Sequence, residues 1–248
     1  MNSRMVNSQA VRRSGAQGVV QELWRYPVKS MLGESCRSLA LNARGVEGDR
    51  LFAIRDGDGK FGSGKSTRRF RMIQGLFEVR SAYDGDVPEI CFPDGQTIRG
   101  DHSGIHAALS SVLGQPVTLA REQEISYLDA GPIHLVTTAS IAWLNRALPD
   151  AHVDARRFRP NVLIDVPGEA NVEHEWLGRE LSVGGSVRLL LKAATERCGM
   201  VGFAQGDLAH DASILNCITH EAHLCFGVYA DVLMPGTIEC GDRVAFVK

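Results

Sequence analysis

The residues Gly59-Lys60-Phe61-Gly62-Ser63-Gly64-Lys65-Ser66 satisfy the phosphate-loop pattern G-x-x-x-x-G-K-[ST] letter for letter, behind an apolar strand. Such a loop cradles nucleotide phosphates only when a helix begins at its lysine and aims its amides at the anion, within a buried parallel sheet. Here the strand runs into Asp-Gly-Asp-Gly at 56–59, a hairpin signal, and no regular β-α-β alternation follows. The context therefore argues against nucleotide hydrolysis. It leaves a basic loop in which Lys65, near Ser66, Arg68, Arg69 and Arg71, faces either a single anionic group or solvent.

A second cluster, Cys217, His220, His223 and Cys225, offers four metal-ligand types within nine residues. Its spacing matches no familiar structural zinc pattern, and a strand would send some of these side chains to opposite faces. Six cysteines with no Cys-x-x-Cys pair are too few for a disulfide scaffold in a chain of 248 residues and read as reduced thiols.

Other pieces inform as an ordered series. Tyr26-Pro27-Val28-Lys29-Ser30 comes first, then Gly48-Asp49-Arg50, then Arg157-Phe158-Arg159-Pro160-Asn161 ahead of the apolar NVLIDV. Arg197-Cys198 follows LLLKAAT, and Phe226-Gly227-Val228-Tyr229, Pro235-Gly236-Thr237-Ile238 and Gly241-Asp242 close the chain. In this order they resemble the MOSC family, which includes the molybdenum-cofactor sulfurase C-terminal domain and the mitochondrial amidoxime-reducing components. The resemblance runs over about residues 18–247 and includes the N-terminal β-rich companion domain.

The resemblance implies a molybdenum cofactor, molybdopterin with Mo, and assigns residues to it. Cys198 would be the protein thiolate on the metal and the catalytic centre, a strong donor to such an ion. On residue type alone the same cysteine reads as packed core. Lys29 and Ser30 would bind the single phosphate of the molybdopterin, with Lys65 standing where relatives of the amidoxime-reducing type carry an arginine. Arg159 and Asn161 would read the pterin ring, and Asp129, Arg197 and Tyr229 fall at cofactor-lining positions. Their plain readings, a surface arginine before a Pro-Asn turn and a core tyrosine, stay open at this point.

The implied reaction is two-electron reduction of N-hydroxylated or other N- or S-oxygenated small molecules, with release of water. The alternative is a non-redox cofactor carrier or sulfur-transfer protein holding a Cys198 persulfide. The chain departs from the amidoxime-reducing pattern after Cys198: Gly199-Met200-Val201-Gly202-Phe203-Ala204-Gln205 replaces a Thr-Thr-Val-Asp-Pro stretch, removing an acid and two hydroxyls beside the implied metal. Without a four-cysteine cluster for iron and sulfur, electrons would come from a separate ferredoxin-, flavodoxin- or cytochrome-like donor.

These residues need a scaffold, and the composition supplies one. A 44% hydrophobic content fills a real core, and a formal charge of −2 gives no excess positive field for a nucleic acid. No apolar run approaches the roughly 18 residues that span a bilayer, and Arg12-Arg13 precedes no hydrophobic stretch, so the expectation is a monomeric cytoplasmic protein with no membrane partner. Residues 1–17 read as a disordered tail. Short apolar runs broken by Gly, Asp and Pro then predict a mainly β fold: a β-rich α+β N-terminal domain over 18–120 and a β-barrel domain with a few helices over 121–248. Helices are predicted over 102–114 and over 140–148, the second with Ile141, Leu144 and Leu148 on one face and Pro149 at its end.

Overall fold

The computed structural model describes residues 16–247. The expected tail lies outside them, apart from its last two residues, which open the first strand. The early strands are β1 (Ala16–Arg25), β2 (Glu34–Cys36), β3 (Ser38–Asn42), β4 (Gly45–Val46), β5 (Phe52–Asp56), β6 (Phe61–Ser63), β7 (Phe70–Met72), β8 (Arg80–Asp84), β9 (Val87–Cys91), β10 (Thr97–Arg99) and, after helix α1 (Ile105–Leu113), β11 (Val117–Arg121). Next come β12 (Ile133–Thr137), α2 (Thr138–Ala147), β13 (Val162–Asp165), β14 (Glu180–Val183) and β15 (Val187–Glu196). Helix α3 (Ala212–Glu221), β16 (Cys225–Met234), β17 (Gly236–Glu239) and β18 (Arg243–Phe246) complete the fold. The mainly β architecture expected from the sequence is the one that forms.

Seven strands in the order β13-β12-β16-β15-β14-β18-β1 make a ring, closed where β1 returns to β13. The ten-residue β1 is shared along its length: its start pairs with β18, its middle with β13 and its end with β2. The alternation in Val187, Leu189 and Leu191 turns apolar side chains inward, where they meet Leu23, Leu135, Ile164 and Val228. Burying each such side chain contributes roughly 1.5–3 kcal/mol.

A second core forms from Val28, Met31, Ile54, Ile73, Leu76, Ile90 and Leu109, beneath α1 and the small sheets β8–β10 and β11-β5-β6-β7. A third lies outside the barrel, where Leu144 of α2 and Ile214 and Ile218 of α3 pack on Phe158 and Phe226, whose ring centroids are 4.2 Å apart. Strand β12 is covered on both sides. Its Ile133 and Leu135 belong to the barrel core, Val136 to the helical cluster, and all five of its residues are buried.

The predicted helices end where capping chemistry ends them. Thr137 Oγ1 accepts the Ser140 amide at 3.2 Å to start α2, and Gly114, at φ 67, stops α1. Cys217 and His220, read from sequence as strand residues, stand instead on α3, started by the Asp211 carboxylate accepting the Ser213 amide at 2.9 Å. His223 and Cys225 fall beyond that helix, with His223 at φ 49. Among the described residues no group of three His, Cys, Asp or Glu side chains is placed to hold a metal ion. No described helix is long and apolar enough to cross a membrane.

Candidate functional site

The loop after β1 carries Lys29 and Ser30, and it is tied down by backbone: the Lys29 amide donates to Phe52 O at 2.8 Å. Lys29 is 4% exposed, and its Nζ donates to Tyr127 O at 3.0 Å and to the Asp129 carboxylate. Asp129 also receives Arg50 Nε at 3.3 Å, and Arg50 in turn is paired with the fully buried Asp49. The connection holding Asp129 is itself braced, because Glu122 accepts two nitrogens of Arg44 and the Tyr127 amide, while the Tyr127 ring packs on Phe61 at 4.9 Å. Burial pushes the Lys29 ammonium down, and Asp129 partly restores it. Partial loss of water would raise the half-exposed Asp129 carboxyl, yet Lys29 and Arg50 hold it well below the ordinary carboxylate range.

Arg159 and Arg197 are held differently. Arg159 follows the 3-10 turn Ala155–Phe158, is 4% exposed, lies 4.2 Å over the Tyr26 ring and donates Nη1 to Met31 O at 2.6 Å. Arg197, at the end of β15, donates Nη2 to Phe158 O at 2.9 Å and Nη1 to His134 Nε2 at 3.4 Å. Neither forms an ion pair with a described carboxylate, and each keeps one buried N–H without a partner: Nη2 of Arg159 and Nε of Arg197. A buried charge without compensation is costly, on the order of several kcal/mol. Burial pushes Arg159 down to about 10, and Arg197 is lowered for the same reason.

The backbone is strained at the same place. Five described non-glycine residues have positive φ, and three of them are Ser30 at 67°, Arg50 at 50° and Arg159 at 54°. Each such conformation costs of order 1–3 kcal/mol, and cost concentrated at one locus marks a site under functional constraint.

The remaining sequence-predicted residues divide. Cys198 is exposed at the end of the Arg197 segment, so its thiol is not packed core. Tyr229 lies opposite His134 in the β12–β16 register, with ring centroids 5.4 Å apart. Lys65 is exposed, yet its Nζ and that of Lys29 both approach the Phe70 ring, at 5.4 and 5.6 Å. A side chain at Gly64 would come within 3.0 Å of Phe203 and 3.1 Å of Phe77, so the loop next to Lys65 packs against the segment that follows Cys198. Asn161 is 1% exposed and its amide is committed to backbone, accepting from His134 N at 3.0 Å and donating to Trp24 O at 3.3 Å. It braces the site from behind.

Sequence reasoning left Arg50 and His134 without roles. The phosphate-loop lookalike is an antiparallel hairpin: Arg55 pairs with Phe61, and Asp56 Oδ1 caps the turn by accepting the Asp58 and Lys60 amides. No helix begins at Lys65; β7 follows, parallel to β6. The lysine is presented by a β loop.

The MOSC N-terminal beta barrel domain family matches residues 17–111, and the MOSC domain family matches residues 122–245. The chain belongs to the MOSC family. MOSC domains are associated with the molybdenum cofactor. The chain is similar to mitochondrial amidoxime-reducing component 1 of Homo sapiens, 26% identical over 92% of this chain and 82% of that protein. The Mus musculus protein of the same name is also 26% identical, over 94% and 83%. Among solved structures the chain resembles in fold the YUAD protein from Bacillus subtilis, with TM-score 0.51 and 13% identity over 92% of this chain and 93% of that one.

In this MOSC protein His134 makes a pH prediction. Burial, then the charge of Arg197, push its imidazole well below the ordinary histidine value. Above about pH 6.5 the ring is neutral in folded and unfolded chains alike. Below that, the unfolded chain takes up a proton that the folded ring refuses, so stability is lost at up to about 1.4 kcal/mol per pH unit until the folded ring titrates. Urea unfolding between about pH 7 and about pH 5 is expected to show this slope, and His134→Gln to remove its share. Identical slopes would exclude a neutral His134 in the folded protein.

Proposed function

We propose that this MOSC protein binds the molybdenum cofactor at the seam between the barrel and the N-terminal sheets, and acts as an oxidoreductase. The observation that carries the reading is the pair Arg159 and Arg197, guanidiniums without a carboxylate partner among the described residues, each with a buried N–H unpaired among them, beside the exposed Cys198. Lys29 and Arg50 supply further donors, their charges balanced by Asp49 and Asp129. The residues present fit a group with a phosphate dianion and many hydrogen-bonding edges.

In this reading Lys29 and Ser30, with Lys65 from the β6–β7 loop, hold the phosphate. Arg159, Arg197, Asp129 and Tyr229 line the pterin, Asn161 fixes the backbone behind them, and the Cys198 thiolate is the protein ligand to the metal. Bound there, the cofactor would supply two-electron chemistry for reducing N-hydroxylated or other N- or S-oxygenated small molecules, with release of water. The chain orients the substrate against an apolar wall that includes Phe203, whose ring lies 6.0 Å from that of Phe77. Because Gly199–Gln205 carries no acid, a proton would reach the reacting group from solvent at the exposed Cys198 mouth. The partners are a small-molecule substrate and a separate ferredoxin-, flavodoxin- or cytochrome-like electron donor. We place the protein in the cytoplasm, a reducing compartment that accords with six free cysteines, and take it as a monomer.

Metal analysis of the purified protein, joined to release of a fluorescent pterin on oxidation, tests the reading. Protein with neither molybdenum nor pterin after expression in a cofactor-producing host would overturn it. The exposure of Cys198 also favours a second reading, a carrier that holds a persulfide there, since a sulfur donor protein reaches the thiol from solvent. Cyanide-labile sulfur on Cys198 without molybdenum would decide for the carrier.

The hairpin placement of Lys65 carries its own prediction. ATP and GTP are expected to bind no more tightly to the native protein than to Lys65→Ala, and neither protein to hydrolyse them, whereas Lys65→Ala lowers pterin retention roughly tenfold through a lost charge-assisted contact. Isothermal titration and pterin release measure both, and Lys65-dependent micromolar nucleotide affinity would refute the assignment.

A further inference from the structure

His134 occupies a strand, Ile133–Thr137, in which every residue is buried, and it is itself 4% exposed. A β-branched residue would fill such a position without polar atoms; a histidine must place two nitrogens. Both nitrogens meet partners of fixed polarity. The Arg159 carbonyl oxygen, 3.4 Å from Nδ1, can only accept, and the Arg197 guanidinium, with Nη1 3.4 Å from Nε2, can only donate. Together they permit one state of the ring: neutral, with its proton on Nδ1 and a lone pair on Nε2.

The ring is also hemmed in. Tyr229 stands directly across on β16, and Gly227, two residues earlier on the same face, has no side chain where a Cβ would fall 2.6 Å from Nε2. Gly227 has φ 78, so the Phe-Gly-x-Tyr piece of the sequence makes the space the imidazole fills. The backbone of His134 is fixed by Asn161, whose side-chain Oδ1 accepts its amide and whose backbone N–H donates to its carbonyl.

We infer that His134 is a positioning residue: as the Nδ1–H tautomer it links the Arg159 carbonyl to the Arg197 guanidinium and sets the orientation in which Arg197, next to Cys198, meets an anionic ligand. A neutral acceptor suits this task. A carboxylate in the same place would hold Arg197 equally well but cancel the charge that the ligand needs. The ligand named is the cofactor of the preceding reading, on which this part of the inference rests.

Two measurements test it. In the full-length protein, 15N NMR of labelled histidine is expected to show His134 with an unprotonated Nε2 and a protonated Nδ1; a ring protonated on Nε2 overturns the inference whatever the protein binds. His134→Gln retains an acceptor in reach of Arg197 Nη1, whereas His134→Leu does not. Pterin retained through gel filtration, assayed by fluorescence after oxidation, is expected to fall roughly tenfold or more in the leucine variant and to stay within about threefold of native in the glutamine variant. Equal retention by the leucine variant and the native protein, or equal loss in both variants, overturns the positioning role. Native protein that loads no pterin would instead sink the cofactor reading, and the tautomer measurement still decides the place of His134.

Discussion

Serine in place of Cys198 is expected to leave the fold and most of the bound pterin intact while cutting reductase turnover on the order of 10³-fold or more. The side chain is exposed, so exchanging sulfur for a hydroxyl of similar size disturbs little packing and moves stability by less than about 0.5 kcal/mol. Retention depends on the cations of the seam, which the substitution does not touch. What changes is the donor: a hydroxyl is a far poorer ligand than sulfur to a soft, redox-active metal. X-ray absorption should then show one sulfur fewer around molybdenum. If the protein is a sulfur carrier, the same variant loses a persulfide adduct visible by mass and keeps its metal content unchanged. A fully active serine variant with a normally loaded cofactor would refute the assignment of Cys198 as ligand.

Arg159→Met is expected to separate stability from binding. In the native protein this guanidinium is buried, has one hydrogen bond to Met31 O, no described carboxylate partner and an unpaired Nη2. An apolar side chain of similar length removes the desolvated charge and keeps contact with the Tyr26 ring, where a thioether packs well. Cofactor-free protein should therefore be as stable as native or more so, by up to about 1–4 kcal/mol, measured by urea unfolding. Pterin retention should fall roughly 10- to 100-fold, because a charge-assisted contact worth about 1.5–3 kcal/mol is gone. A variant that unfolds easily yet retains pterin would make Arg159 a structural residue instead.

Much of this was readable in the amino-acid order, and the failures have physical causes. Alternation in Val187, Leu189 and Leu191 and the turn chemistry of Asp56–Gly59 are local, so the strands and the hairpin could be inferred without the fold. Ile214 and Ile218, four apart and both buried, carry the helical signal of α3 just as locally, but Ser213, Asn216, Cys217 and His220 between and beside them dilute the apolar stripe. The return of β1 to β13 and β18 is another matter: the partners of Val19 are Asp165 and Arg243, and no local pattern encodes pairing at that separation. The site shows the same division. Lys29, Arg50, Arg159, Arg197 and Cys198 all stand in recognisable motifs, whereas the pairing of Arg50 with Asp129, far along the chain, leaves no local sign. His134 did leave a local trace, a lone imidazole in an otherwise apolar Ile133–Val136 run, and the partners that give it meaning come from β15 and the turn before β13.

The sharing of β1 among three partners also dictates an order of events during synthesis. Residues 28–119 supply a core of their own and can condense while the rest of the chain is still being made, at about 5–20 residues per second. The barrel cannot close on that schedule, since the start of β1 waits for Arg243–Ala245, far along the chain. Such long-range pairing is slow, in the range of milliseconds to seconds. Ribosome-bound chains halted before β18 should accordingly protect the N-terminal sheets from protease and leave β1 cleavable, and the seam that gathers Lys29, Arg159 and Arg197 becomes a late product of folding, completed only once β18 has been made.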